Sequence, residues 1–153
     1  MTVDDILLRD GAQLNHVQDD ILFVALANSK LKDELNGEIR KCSFVTDTTP
    51  VTHESCTISS LPLPIGSVQL GTSHVNIIIP DIPDTTMETE GKAVTYSRND
   101  YRVKYITELA LEALKDHYSG NGWSFTLDMQ DTIAEPQMQA HRIWLKITFV
   151  FHN

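Results

Sequence analysis

The sequence predicts a single α/β (α+β) domain in which a mixed, largely antiparallel sheet is backed by two main helices. Two segments have apolar residues at helical spacing, two others near the C-terminus alternate apolar and polar residues, and a β-branched run lies between them. A chain of 153 residues with 41% apolar content is long enough for one globular core. We expect an N-terminal arm over residues 1–16 and one domain over residues 17–153.

The first helix is predicted from about Val17 to Leu26, where apolar residues recur along one face. The residues from Ser29 onward either continue it or begin a second helix that Ser29 caps. Asn36 and Gly37 are expected to end this region in a left-handed conformation.

The second main helix is predicted after Ser97, which forms a capping box with Asp100. Its apolar face is expected to continue as far as His117, and the residues from Gly120 to Gly122 are expected to end it.

Five segments are predicted as strands before and after this helix. The first is 38–44, and a loop over 46–55 separates it from a modest strand at 56–61. The run from Val75 to Ile79 is almost entirely β-branched, which is typical of a central strand covered on both faces. The last two strands form an antiparallel hairpin. The core-facing residues of the hairpin are predicted to be Trp123, Phe125, Leu127, Met129, Ile143, Leu145, Ile147, Phe149 and Phe151.

Composition disfavours several functional classes. The 12 basic and 21 acidic residues give a net charge of -9, which opposes a broad surface for nucleic-acid phosphates. Cys42 and Cys56 have no metal-ligand spacing and are expected to be reduced thiols, and the six histidines match no metal motif. No catalytic motif or glycine-rich phosphate loop occurs, so the sequence predicts neither an ordinary enzyme nor a cofactor. No apolar run approaches the length of a membrane span, so we expect a soluble protein that is made in the cytoplasm.

A long polar loop over about residues 81–97 contains the sharpest motif in the chain. Pro80-Asp81 is followed by Glu90, Gly91 and Lys92, the bare pattern of nucleases that hold a divalent cation between two carboxylates beside a lysine. The segment lacks the alternation that would place Glu90 and Lys92 on one strand. A metal-dependent nuclease of the PD-(D/E)xK type, with Asp81, Glu90 and Lys92 as its site, is therefore an alternative function.

Three further stretches carry a resemblance to a known family. They are "DDILFVALANSKLKDELNG" near the start, "GTSHVNIIIPDI" in the middle, and "RIWLKITFVF" at the end. Together with the element order, they resemble the tail-terminator or tail-completion proteins of tailed bacteriophages. The resemblance implies a non-enzymatic virion protein, made in the host bacterial cytoplasm, whose subunits form a ring at the head–tail junction or tail terminus with other neck or tail proteins. A small host-encoded protein-binding domain is a further alternative.

A ring subunit must present two different complementary surfaces. The candidate subunit-interface loop consists of Asp81, Ile82, Asp84, Met87, Glu88 and Glu90. The candidate opposing basic face consists of Arg98, Arg102 and Lys104. An acidic lining would let DNA pass through the ring without specific binding. The arm over residues 1–16 is predicted to dock on a neighbour.

Overall fold

The structure, a computed structural model, describes residues 1–42, 49–84 and 94–153. The helices are α1 (Val17–Ala27), α2 (Lys30–Glu34) and α3 (Asp100–Ala113), with short 3-10 turns at Val3–Asp5 and Pro136–Met138. The strands are β1 (Ile39–Lys41), β2 (Ser55–Ser60), β3 (Val68–Pro80), β4 (Ile82–Asp84), β5 (Thr95–Ser97), β6 (His117–Tyr118), β7 (Trp123–Glu135) and β8 (Ala140–His152).

Six strands form the main sheet in the order β1-β2-β3-β8-β7-β6, and β4 and β5 form a separate two-stranded sheet. Only β1 and β2 are parallel, so the main sheet is mixed and largely antiparallel. β3 and β8 pair over their whole lengths, from Val68 opposite His152 to Pro80 opposite Ala140. The predicted fold class, an α+β domain with two main helices, is confirmed.

The core lies between one face of the sheet and the two main helices. α1 contributes Ile21, Leu22 and Leu26, which are fully buried, and α3 contributes Ile106 and Ala110. Burying one of these isoleucine or leucine side chains stabilises the fold by about 1.5–3 kcal/mol. The core-facing residues of the sheet are Cys56, Ile58, Val75, Ile77, Ile79, Trp123, Phe125, Ile143, Leu145, Ile147, Phe149 and Phe151.

The short helix α2 is separate from α1, and its end differs from the prediction. Ser29 occupies its N-cap position, but the Ser29 hydroxyl donates to the carbonyl of Leu26 at 2.6 Å instead of accepting from the new helix. Leu35 follows the helix in an extended conformation, and Gly37 has no positive φ, so the predicted left-handed stop is wrong. A Cβ atom at Gly37 would lie 1.6 Å from the carbonyl oxygen of Glu54, so glycine is required there for close backbone approach.

The N-terminal cap of α3 is Asn99, and the predicted capping box of Ser97 with Asp100 is wrong. The Asn99 side chain accepts a hydrogen bond from the backbone N–H of Arg102 at 3.2 Å. The helix ends at Ala113, so His117 belongs to a strand. The glycine-containing segment 120–122, predicted as the helix stop, instead connects β6 with β7.

β3 is longer than predicted, because residues 68–74 also belong to it. Gln69, Gly71 and Ser73 are buried at alternate positions, but they are polar or small and therefore gave no apolar signal. The sequence predicts that both faces of residues 75–79 are covered. Only the face toward the helices is fully covered. On the opposite face, Ile78 alone is buried, in a small cluster with Met138 and Ala140.

The hairpin of β7 and β8 is confirmed, but Met129 lies on the face opposite to the predicted one. A β-bulge occurs between Leu127 and Met129, so Asp128 is an extra residue whose backbone is not paired with any residue of β8. An extra residue reverses the alternation, because side chains change faces with every residue. Leu127 therefore packs against the core, whereas Met129 pairs with Lys146 on the other face and is exposed.

The segment 1–16 packs on the chain's own domain. Val3, Ile6 and Leu8 contact the hydrophobic core, and Asp4 lies 3.0 Å from the Nε2 atom of His117. Docking of this segment on a neighbouring subunit stays a prediction. The predicted strand at 38–44 is present as β1, and residues 43–48 lie outside the described part.

Candidate functional site

The loop predicted at about 81–97 contains a two-stranded ribbon, contrary to the expectation that it holds no strand. β4 pairs antiparallel with β5, from Ile82 opposite Ser97 to Asp84 opposite Thr95. The ribbon begins directly after β3, the long central strand of the sheet. Ile82, Val94 and Tyr96 are exposed by 45%, 42% and 43%. We call β4, β5 and Val94 the apolar ribbon, and it displays apolar side chains away from the main core.

Asp81, shared by the nuclease hypothesis and the interface hypothesis, is held by an internal partner. Its Oδ1 atom lies 2.7 Å from Nδ1 of His141, and its backbone N–H donates to the carbonyl of Gln139 at 2.8 Å. The pair ties the base of the apolar ribbon to the first residues of β8. Sequence reasoning did not identify His141, because 60 residues separate the partners and no motif joins them.

The remaining residues of the nuclease hypothesis cannot be placed. Glu90 and Lys92 fall within residues 85–93, outside the described part, as do the interface candidates Met87 and Glu88. Across residues 1–42, 49–84 and 94–153, no group of three His, Cys, Asp or Glu side chains could hold a metal ion. The nuclease alternative stays a prediction. Of the candidate interface loop, the structure describes Asp81 and the ribbon residues Ile82 and Asp84.

The three residues of the candidate basic face have different surroundings. Arg102 points into the domain and forms a two-point ion pair with Glu54, with Nε to Oε2 at 2.6 Å and Nη2 to Oε1 at 2.8 Å. Arg98 contacts Asp100 at 2.5 Å on the surface, and Lys104 is exposed. The surface that could meet a partner is therefore reduced to Arg98 and Lys104. Its role in assembly stays a prediction.

The Arg102–Glu54 pair connects three elements. The Glu54 side chain is only 3% exposed, and the Arg102 side chain 22%. Glu54 also accepts from the backbone N–H of Asn36 at 3.0 Å, while Arg102 also donates to the carbonyl of Glu34. The hydrogen bond that Arg102 donates to Glu54 is the main cause of the raised pKa of Arg102. This network joins the end of α2, the approach to β2 and the first turn of α3.

Neither cysteine has the surroundings of an activated thiol. The Cys42 thiol donates to Oδ2 of the buried Asp19 at 3.1 Å, and this hydrogen bond is the main cause of the raised pKa of Cys42. Burial raises the pKa of Cys56 to about 12. Because the thiolate is the nucleophilic form, both shifts oppose nucleophilic chemistry. Asp19 also accepts from the Ser60 hydroxyl at 2.6 Å.

A second group of exposed apolar side chains lies at the opposite end of β3 from the apolar ribbon. It consists of Leu61, Ile65, Val68 and Leu70, and we call it the apolar end patch. Leu70 pairs with Val150 across the sheet, so these two side chains share a face. β3 has 13 residues. At about 3.4 Å per residue, its two ends are roughly 40 Å apart.

The sheet face opposite the helices carries an aromatic and basic cluster. His74 and Trp144 lie with ring centroids 5.4 Å apart, and both are half-buried. Burial lowers the pKa of His74, and the positive charges of Lys146 and Arg142 lower it further. Arg142 is itself bound to Glu135 at 2.9 Å and to Asn76 at 2.9 Å. The cluster therefore favours a neutral imidazole on this face.

No helix within the described ranges is long and apolar enough to cross a membrane. No protein-family model matches the chain, and a search of curated proteins finds no match.

Proposed function

We propose that the protein is a non-enzymatic structural subunit of a tailed bacteriophage that forms a ring at the head–tail junction or tail terminus. The observation that carries this proposal is the pair of exposed apolar groups at opposite ends of β3. A junction subunit must contact its own neighbours and the proteins above or below them. Exposed apolar groups of this kind mark protein contact surfaces.

The apolar ribbon is the first of these contact surfaces. An isolated two-stranded hairpin is only marginally stable in water, so packing against another surface benefits it. Ile82, Val94 and Tyr96 supply the apolar contacts, and the Asp81–His141 pair fixes the base of the ribbon. The ribbon therefore suits a contact with the next subunit of a ring.

The apolar end patch is the second contact surface and suits a different partner. It lies at the other end of the sheet, next to the pairing of Val68 with His152. With the ribbon holding a neighbouring copy, this patch is left for another neck or tail protein. The net charge of -9 is compatible with DNA passing through the ring without binding it.

Ring formation by the purified chain tests the proposal. Native mass spectrometry and negative-stain electron microscopy at rising protein concentration should show a closed oligomer, formed by the chain alone or after mixing with candidate neck and tail proteins. A chain that stays monomeric in both settings would overturn the proposal. Magnesium- or manganese-dependent DNA cleavage that Asp81→Ala abolishes would instead establish the nuclease alternative.

A paired variant tests the contact surface. Ile82→Asp with Tyr96→Asp introduces charge at two exposed positions, so the domain should fold and the ring fraction should fall by roughly tenfold or more. Tyr118→Asp is the matched control, because Tyr118 is an exposed aromatic residue outside both the apolar ribbon and the arm over residues 1–16. Equal ring formation by the paired variant and the control would remove the ribbon from the interface.

A further inference from the structure

We propose that the outer edge of β7, residues 129–135, accepts a strand from a second copy of the chain. The strand comes from the opposite edge of the same sheet, where β1 carries Arg40. This inference rests on the proposed ring function, and it names the contact by which one subunit joins the next.

The edge of β7 is open over more than half of its length. β6 pairs only with Ser124 and Phe125, and the next outward N–H, that of Leu127, donates to the Asp116 carboxylate at 2.9 Å. Beyond the bulge, β8 pairs with one side of β7 as far as Glu135. Within the described ranges, no strand pairs with the other side of 129–135. An unpaired edge of this length is a template for strand addition.

The alternation of hydrogen bonds shows which backbone groups face outward. Antiparallel strands bond through every second residue, so the residues between them direct N–H and C=O groups away from the partner. Thr132 is one of these, because its N–H is bonded to Oδ1 of Asp131 at 2.8 Å instead of to β8. In the free subunit, the Asp131 carboxylate accepts from the N–H of Thr132. A carbonyl group of an incoming strand could replace the carboxylate as the acceptor.

The charges of the two sheet edges are complementary. β7 carries Asp128, Asp131 and Glu135 and contains no lysine or arginine. β1 has the sequence IRK, and among the described residues Arg40 forms an ion pair with Glu38 alone, at 2.7 Å, with side chains exposed by 66% and 72%. An exposed pair of this kind contributes little to stability, so Arg40 can exchange its partner at little cost. Lys41 beside it is engaged by Asp20 at 2.6 Å.

The contact joins two different surfaces of identical chains and is therefore heterologous. Repetition of such a contact produces a ring when the rotation closes. The open edge of β7 and the apolar ribbon lie at the same end of the sheet, because Glu135 pairs with Ala140, Ala140 pairs with Pro80, and β4 follows directly. One end of the sheet thus carries both an open strand edge and exposed apolar side chains.

Thr132→Pro tests the strand edge with the full-length chain. Proline removes the outward N–H but no hydrogen bond to β8, so the subunit should fold. We expect the ring fraction to fall by roughly tenfold or more, since the loss recurs at every contact. Thr132→Val is the matched control, because it keeps the N–H and the β-branched shape, and it should assemble like the wild type.

A charge exchange tests the identity of the incoming strand and does not depend on the proline variant. Asp131→Lys and Arg40→Glu should each weaken assembly, and the double variant should recover most of it. Circular dichroism and thermal unfolding of each variant confirm folding. If both single variants assemble poorly and the double variant assembles no better, the pairing of β7 with β1 is overturned.

The outcomes separate this inference from the proposed function. Rings that form equally well from the wild type, Thr132→Pro and both charge variants would overturn the edge contact and leave the ring function standing. A wild-type chain that never assembles, alone or with neck and tail proteins, would overturn both. Binding of the wild type to a different protein, without rings, would favour the protein-binding alternative and overturn the contact between copies.

Discussion

Single residues in this protein act mainly by connecting elements that are distant in sequence. Arg102 appears in the sequence as one of several basic residues at the start of a helix, yet its guanidinium is bound to the buried Glu54. Removing one partner of a buried ion pair leaves the other charge desolvated and unpaired, which costs far more than breaking a surface pair. The role of Arg102 is therefore structural.

Arg102→Gln should lower the free energy of unfolding by about 3 kcal/mol, because Glu54 would lose its charged partner while remaining buried. Urea unfolding followed by tryptophan fluorescence measures the change. Arg40→Gln, which breaks the exposed pair with Glu38, is the matched control and should cost less than about 1 kcal/mol. Similar losses for the two variants would contradict the structural role of the buried pair.

At the scale of elements, apolar alternation predicted β8 and the first half of β7, but it could not reveal the bulge. A bulge changes which residues face the core without changing the composition of the strand. Apolar periodicity has the same limit for the helices. The apolar face of α3 predicted its existence, whereas it did not reveal that Asn99 caps the helix.

Deleting Asp128 should be tolerated, since it removes the extra residue and leaves Leu127 and Met129 opposite their present partners. The deletion mainly removes the exposed hydrogen bonds that Thr126 and Thr148 donate to Asp128. We therefore expect the free energy of unfolding to fall by about 1 kcal/mol. Thermal unfolding with a two-state fit measures it.

Deletion of Thr126 is the matched control for the bulge. It would shift the following residues by one position, turning Leu127 away from the core and placing Asp128 there. This change should cost more than about 2 kcal/mol. If the two deletions destabilise the protein equally, the bulge does not set the register of β7.

For the whole molecule, the sheet separates a covered face from a face that carries titratable groups. His74 lies on the second face, and its pKa is lowered from its ordinary value of 6.5 by burial and by Lys146 and Arg142. The folded state therefore binds this proton less readily than the unfolded state. The stability that neutral His74 contributes is fully present above about pH 6.5. The free energy of unfolding decreases as the pH falls from there toward the lowered pKa of His74.

His74→Gln should reduce the loss of stability between about pH 6.5 and pH 5, because it removes a group that the unfolded chain protonates first. Urea unfolding at a series of pH values measures the slope in this interval. His152→Gln, at the exposed end of β8, serves as the comparison. A slope that is unchanged in His74→Gln would show that other groups control the acid sensitivity.

The sequence by itself determined the fold class, the two main helices, the closing hairpin and most of the core, because these depend on periodic burial that is local in the chain. It did not determine the length of β3, the face of Met129 or the apolar ribbon. Nor did it reveal the partners of Asp81 and Arg102. Only the tertiary structure decided these, because backbone pairing and polar contacts between distant residues leave no periodic pattern. The proposals rest on the apolar ribbon, the apolar end patch and the open β7 edge, and only the tertiary structure revealed these three features as well.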